Sequence, residues 1–449
     1  MGSLFRVALV AVLLVSGCAA PDFAWRSCGD GFECARLVVP LDHTQPYGPQ
    51  ISLSVIRLPA SGERIGTLIV NPGGPGVSGI DYARAALSSF SGNLRDRFDI
   101  VGYDPRGVGA SSPVRCLPPS SLDAFLAMDA TPDTPAEVSS LRRAASGFAA
   151  GCQKLSGRLL PHLSTLDGAR DLDLLREALG EPRLTFLGKS YGTLLGALYA
   201  DLFPGRVRAL VLDGALDPAL DRERLNLEQA QGFAAALAAC CPSGVSDLLR
   251  RTDRSPLEGG GARPVTESLA TLGTLTPLYD RTTWPQLTQA LDQAAHGDGS
   301  LLLRNADNLV GRQEDGTYTN QTEANMAVNC IDGPYPNTIP AAPGPFASFF
   351  LWSALPCTYW PAKPALTPRR VQAHGAPPIL VVGTTRDPAT PYAWSRALAS
   401  ELDSGVLLTY EGDGHTAYFN GSTCVDDAVD TYLITTRPPT PGTVCPDIN

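Results

Sequence analysis

The sequence predicts an α/β fold: a mostly parallel, doubly wound sheet with one inserted, mainly helical lid. Three observations predict it. Short apolar runs alternate with helical patterns in both the first and the last parts of the chain. A serine between two glycines, in Gly188-Lys189-Ser190-Tyr191-Gly192, sits where an apolar run passes into a helix. From about 216 to 375 the alternation stops, leaving helical patches, a loop at Gly259-Gly260-Gly261 and proline-dense stretches around 334–345 and 356–368.

The elements follow in order. Arg6, the apolar run Val7 to Val15 and then Val15-Ser16-Gly17-Cys18 read as an export signal, too short to span a membrane. Small residues directly before a cysteine resemble a bacterial lipobox, which would make Cys18 the lipidated first residue of a cell-envelope lipoprotein; the alternative is an ordinary signal peptide cut near Ala19-Ala20 and a secreted protein. Strands are expected at Ala35 to Pro40, Ile51 to Leu58, Gly66 to Asn71 and Phe98 to Tyr103. A smaller excursion, Ser112 to Ser164, is expected to be helical. Leu172, Leu175 and Leu179 line one face of a helix over Leu166 to Leu179, closed by Gly180. The strand Leu184 to Leu187, the helix Thr193 to Phe203 and the strand Val207 to Leu212 complete the first part. Alternation resumes with strands Ile379 to Gly383 and Val406 to Tyr410 and a helix near Val425 to Leu433. The expected division is a lipoprotein-type signal peptide at 1–17, core at 18–215, lid at 216–375 and core again at 376–449.

Composition narrows the function. A net charge of −10 and the lack of a basic run argue against nucleic acid as a partner. Export leaves ten cysteines beyond Cys18 in an oxidising compartment, where an even number suggests disulfides. Proximity favours Cys28–Cys34, Cys424–Cys445, Cys116–Cys152 and Cys330–Cys357, leaving Cys240 and Cys241 to pair with each other or elsewhere. With neither C-x-x-C nor H-E-x-x-H, a metal centre has little support, and no cofactor is expected.

Ser190 is the candidate nucleophile, because a serine on a tight strand-to-helix turn is the nucleophile elbow of the α/β-hydrolases. That fold orders its triad as serine, acid, histidine. Of five histidines, His43 and His162 precede Ser190, His296 lies in the lid, and His374 stands just before a strand, away from the elbow. His415 remains, in the loop after a strand, at the carboxyl end where sheets of this kind carry function. Asp387, after the strand Ile379 to Gly383, is the favoured acid; Asp213 is its rival, with turn capping as its simpler role. The oxyanion donors are expected from Tyr191 N–H and from the loop Asn71-Pro72-Gly73-Gly74-Pro75-Gly76, with Gly74 favoured and Gly73 possible. The same loop also fits a dinucleotide fingerprint, Gly74-x-Gly76-x-x-Gly79. Against that reading stand the two strands that precede it, the missing N–H of Pro75 and the exported setting.

These residues together match a known family. Asn71-Pro72-Gly73-Gly74-Pro75-Gly76, Asp104-Pro105-Arg106-Gly107-Val108-Gly109, Gly188-Lys189-Ser190-Tyr191-Gly192, Arg386-Asp387-Pro388 with Thr390-Pro391, and Gly414-His415 occur in family order. The chain resembles the secreted tripeptidyl aminopeptidases of actinobacteria, relatives of the proline iminopeptidases, from about residue 25 to the C-terminus. The resemblance implies an exported serine exopeptidase that removes short peptides, typically tripeptides, from free N-termini. It implies Ser190 as nucleophile, Asp387 as orienting acid and His415 as base. The related iminopeptidases begin their oxyanion loop with histidine where this chain has Asn71, so their substrate preference does not transfer. A free α-amine needs an anionic partner, and the segment Glu323 to Asp332 offers Asp332 as the candidate. Two other readings stay open: an esterase or lipase on the same fold, and a non-enzymatic lipoprotein on a decayed hydrolase scaffold.

Overall fold

The computed structural model describes residues 23–241, 244–335, 339–340 and 344–447. The proposed signal and Cys18 lie outside them. Ten strands form one sheet: β1 (Arg26–Ser27), β2 (Glu33–Pro40), β3 (Gln50–Leu58), β4 (Gly66–Asn71), β5 (Phe98–Tyr103), β6 (Leu184–Lys189), β7 (Val207–Asp213), β8 (Ile379–Arg386), β9 (Gly405–Asp413) and β10 (Val444–Cys445). Their spatial order is β1-β2-β3-β5-β4-β6-β7-β8-β9-β10. β1 to β3 form an antiparallel meander, and β3 joins β5 antiparallel. From β5 onward every neighbouring pair is parallel. The two-residue strands β1 and β10 are too short to leave a periodic signal in the sequence.

The central parallel strands are mostly apolar because both faces are covered. Ile69 and Val101 pack with Leu172, Leu175 and Leu195 from the helices Thr165–Ala178 and Tyr191–Leu202. Their strand neighbours Leu68, Val70 and Ile100 pack on the opposite face with Leu94, Val429 and Leu433. Adjacent residues therefore serve different layers, as the two-residue period of a strand requires. Arg106, in the loop after β5, is buried and donates to both Asp171 oxygens, at 2.7 and 2.6 Å, and to the carbonyls of Leu41 and Pro40. It locks the loop after β5 onto the helix Thr165–Ala178.

Between β7 and β8 the described chain is helical, with helices Arg222–Cys240, Val245–Arg254, Glu267–Leu275, Trp284–Ala295, Ser300–Val310, Gln321–Ile331 and Ala347–Ser353. It has its own core, built on Phe233, Leu269, Leu278, Leu287 and Leu302. The 22-residue helix Pro135–Ser156 of the excursion begins with a capping box between Thr134 and Glu137. Disulfides join Cys28–Cys34, Cys116–Cys152, Cys240–Cys241, Cys330–Cys357 and Cys424–Cys445.

Candidate active site

β4 and β6 end side by side, with Asn71 opposite Gly188. The strand order reverses here, so the loops beyond these strands diverge and leave a crevice. Ser190 occupies the turn out of β6 with φ 55° and ψ −124°, a backbone conformation costing a non-glycine residue on the order of 1–3 kcal/mol. Its N–H is held by Asp213 O at 2.9 Å. A Cβ at Gly188 would collide with Gly192 O, and one at Gly192 would stand 2.8 Å from Asn71 Oδ1, so both flanking positions must be glycine. Tyr191 opens the following helix, and its N–H lies in the first turn, where no intrahelical acceptor exists.

The opposing loop is organised by Asn71, whose Oδ1 accepts the Gly73 N–H at 2.9 Å. That bond occupies the Gly73 N–H, and a Cβ at Gly73 would lie 2.9 Å from Ser190 Cβ, so the loop packs directly on the elbow. Gly74, Ser190, Tyr191 and His415 all line one cavity of about 550 Å³.

His415 follows β9. Its Nδ1 lies 2.9 and 3.0 Å from the two Asp387 oxygens. Asp387 is buried after β8 and accepts further bonds from Ala389 N, Thr390 N, Thr390 Oγ1 and Thr416 N at 2.8–3.1 Å. A carboxylate surrounded by donors is acceptor-only, so Nδ1 carries the imidazole hydrogen and Nε2 is left with a lone pair. Thr390 Oγ1 is also 3.3 Å from His415 Nδ1. The lid completes the seat: Tyr279 O accepts His415 N–H at 2.7 Å, and the Tyr279 ring meets the imidazole edge-on at 5.4 Å.

Asp213 sits under the same loop in another role. Fully buried, it accepts the N–H groups of Ala417 and Tyr418 at 2.9 Å. Lys189 Nζ donates to Tyr418 O at 2.7 Å, its pKa pushed down by burial. Burial likewise pushes the Asp213 carboxyl up, against the pull of Lys189. Together they clamp the segment just after His415. Three of the other histidines are engaged elsewhere: His374 pairs with Asp403 at 2.5 Å, His296 Nδ1 lies 2.8 Å from Asp292 O, and His43 lies 2.9 Å from Asp171.

Of the acidic candidates near the amine position, Glu323 is committed to structure, accepting Cys116 N at 2.5 Å and Leu117 N at 3.0 Å. Asp332 is different, because it lines the cavity. Its carboxylate accepts Thr165 N at 2.8 Å and the Thr165 hydroxyl, which also meets Tyr191 Oη at 2.6 Å. Burial pushes its pKa up to about 6, opposed by the Thr165 bonds and by Arg222. Thr390, Tyr279 and Lys189 escaped a functional reading of the sequence. Thr390 and Lys189 lie inside motifs already singled out, but nothing local states which carboxylate or loop they would hold.

A doubly wound sheet with a strained serine elbow, a backbone donor loop and an acid–histidine pair defines an α/β-hydrolase. Family models agree: one described as "alpha/beta hydrolase fold" matches residues 66–238, and one described as "TAP-like protein" matches residues 342–445. The chain is 37% identical to the serine protease Hip1 of Mycobacterium tuberculosis, over 92% of this chain and 87% of that protein. It is 37% identical to carboxylesterase B of the same species, covering 94% and 89%. It is 34% identical to the tripeptidyl aminopeptidase of Streptomyces lividans, covering 96% and 88%. The chain belongs to the tripeptidyl aminopeptidase family of serine peptidases on the α/β-hydrolase fold.

Proposed function

We propose that this protein is an exported serine exopeptidase that releases short peptides, tripeptides above all, from free N-termini. The observation that carries the reading is the hydrogen-bonded pair Asp387–His415 opening onto the same cavity as Ser190. In the proposed mechanism His415 Nε2 takes the Ser190 proton as Oγ attacks the scissile carbonyl. Asp387 holds the imidazole in the required tautomer and stabilises its cationic form. The oxyanion is held by the N–H groups of Tyr191 and Gly74. The amine leaves with the proton from His415, and water then attacks the acyl-enzyme with His415 again as base.

Cavity size and cover support an exopeptidase. About 550 Å³ falls within the range of small-ligand sites and suits a few residues of extended chain. A helical roof admits a chain end and excludes a folded protein. Asp332 is the proposed partner of the substrate α-ammonium, with the two hydrogen-bonding positions that Thr165 leaves open. The walls include Leu126, Leu272, Val310, Met326, Phe350 and Trp352, so apolar side chains are the preferred occupants. The proposed setting is the cell envelope, by a lipid on Cys18, and a Cys18→Ala variant is expected to leave the membrane fraction.

An esterase is the second reading, favoured by those same apolar walls, which would also take an acyl chain. One experiment decides between them: mass spectrometry of products from peptides with free and acetylated N-termini, beside short and long acyl esters. Release of tripeptides from free N-termini alone, lost in Ser190→Ala, is the expected result. Rapid ester turnover with no peptide cleavage would establish the esterase instead.

A further inference from the structure

The Gly73-Gly74 pair is flanked by Pro72 and Pro75, neither of which has an N–H to anchor it. Gly74 itself stands at φ +108°, in a region that glycine enters and leaves at little cost. An oxyanion donor must nevertheless be in place before charge develops. Its upstream anchor is Asn71, already described. Downstream, the anchor comes from the lid: Asn325 Nδ2 donates to Pro75 O at 3.0 Å, across 250 residues of sequence. The contact is close along its length. A Cβ at Gly76 would lie 2.6 Å from Gln321 O and 2.9 Å from Asn325 N, so the helix Gln321–Ile331 rests directly on the loop.

Asn325 is in turn held. Asn329 Nδ2 donates to Asn325 Oδ1 at 3.0 Å, and Arg222 Nη1 donates to Asn329 Oδ1 at 3.0 Å. Arg222, Asn329, Asn325 and Pro75 all line the cavity. The chain of side-chain amides thus runs along the cavity wall from Arg222, near Asp332, to the loop that carries Gly74.

We propose that Asn325 is a positioning residue for the oxyanion loop, and that Asn329 and Arg222 extend its hold to the substrate-contacting wall of the cavity. Gly74 then stands between two amide anchors, one from β4 and one from the lid. Substrate that touches Arg222 or Asn329 bears on the same loop that receives the oxyanion. This rests on the reading of Ser190 as nucleophile and Gly74 as donor.

Asn325→Leu keeps the approximate shape and removes both hydrogen bonds. Asn329→Asp keeps the acceptor for Arg222, removes the donor to Asn325 and sets a carboxylate oxygen against Asn325 Oδ1. Each is assayed for kcat and KM on a tripeptide amide, and for inhibition by a peptide aldehyde, which forms an oxyanion on the serine, and by the tripeptide product, which does not. Loss of an oxyanion donor costs about 10²–10³ in kcat, and a displaced one is expected to cost roughly tenfold to a hundredfold. Aldehyde affinity is expected to fall by the same factor, with KM and product affinity within about threefold of the parent. Unchanged kcat in folded Asn325→Leu would overturn the proposal, as would parallel losses of product and aldehyde affinity, which signify a plain cavity contact. Should Asn325→Leu fail to fold, Asn329→Asp decides by the same criteria. Labelling of the parent protein, but not Ser190→Ala, by a fluorophosphonate separates the two levels. Absent labelling sinks the nucleophile reading itself, whereas labelling with unaltered kcat in the variants sinks only the role of Asn325.

Discussion

Replacing Asp387 by asparagine is the sharpest probe of the site, and its outcome can be worked from the bonds around the carboxylate. Oδ1 accepts the backbone N–H groups of Ala389 and Thr390, and Oδ2 accepts Thr416 N–H and the Thr390 hydroxyl, with the imidazole Nδ1 close to both. An asparagine has one oxygen for these two positions. Each buried N–H left without an acceptor costs about 1–3 kcal/mol. Setting the NH₂ at Oδ1 orphans two backbone donors. Setting it at Oδ2 orphans one, because the threonine hydroxyl can turn and the imidazole can change tautomer. The amide therefore takes the Oδ2 position and donates to Nδ1, which moves the imidazole hydrogen to Nε2. The base facing Ser190 then has no lone pair to offer. The expected fall in kcat is about 10⁴-fold, roughly 5 kcal/mol in the barrier, with a stability loss of about 1–3 kcal/mol from Thr416 N–H. In Asp213→Asn the loop clamp loosens but the imidazole keeps its tautomer, so kcat falls by no more than roughly a hundredfold. Steady-state hydrolysis of a tripeptide amide by both variants provides the comparison. Turnover within tenfold of the parent in Asp387→Asn, with Asp213→Asn inactive, would refute the reasoning and make Asp213 the acid.

Further outcomes follow from contacts elsewhere in the molecule. With its pKa pushed from 3.8 to about 6, Asp332 is ionised above that pH, so KM for free-amine peptides should rise as pH falls through about 6. Asp332→Asn should raise KM roughly tenfold or more, flatten that dependence and leave acetylated peptides unaffected. Stability runs the other way: a raised folded pKa means the native state binds the proton more tightly, so this carboxyl's contribution is full below about pH 4 and is lost as pH rises through 6, by about 3 kcal/mol. Urea melts of the parent and Asp332→Asn across that window test the sign. Gly76→Ala, at φ +98° and against Gln321 O, should cost about 1–3 kcal/mol of stability and lower kcat by separating lid from loop, read by thermal melts and turnover. Replacing Cys330 and Cys357 by serine opens a tie between residues 27 apart beside Asp332, and should cost about 3–4 kcal/mol of unfolding free energy.

Much of the sheet was legible locally. Gly66–Asn71 and Phe98–Tyr103 are strands over the spans their apolar runs mark, because strands covered on both faces are mostly apolar on both, with buried Thr67, Asn71 and Asp99 the polar exceptions. The tight turn at Ser190 was legible for a steric reason: Gly188 and Gly192 have no room for a side chain. The cysteines close in sequence, such as Cys28 and Cys34, pair as proximity suggests. The candidate acid and base could be nominated because parallel strands deliver their following loops to one edge.

The sequence by itself thus determined where the longer strands and the turn at Ser190 fall, since steric fit and burial act on neighbours along the chain. It nominated one serine by its glycine-flanked turn, and an acid, with one rival, and a histidine by chain order and their place after strands. Only the tertiary structure decided that β5 lies between β3 and β4, that Thr390 and Thr416 share Asp387 with His415, and that Asp213 and Lys189 serve the loop after it. It alone set Asn325 of the lid against Pro75 of the core. Such hydrogen bonds join residues up to 250 positions apart. They impose no period and demand no special residue at either end until folding brings a donor within 3 Å of an acceptor.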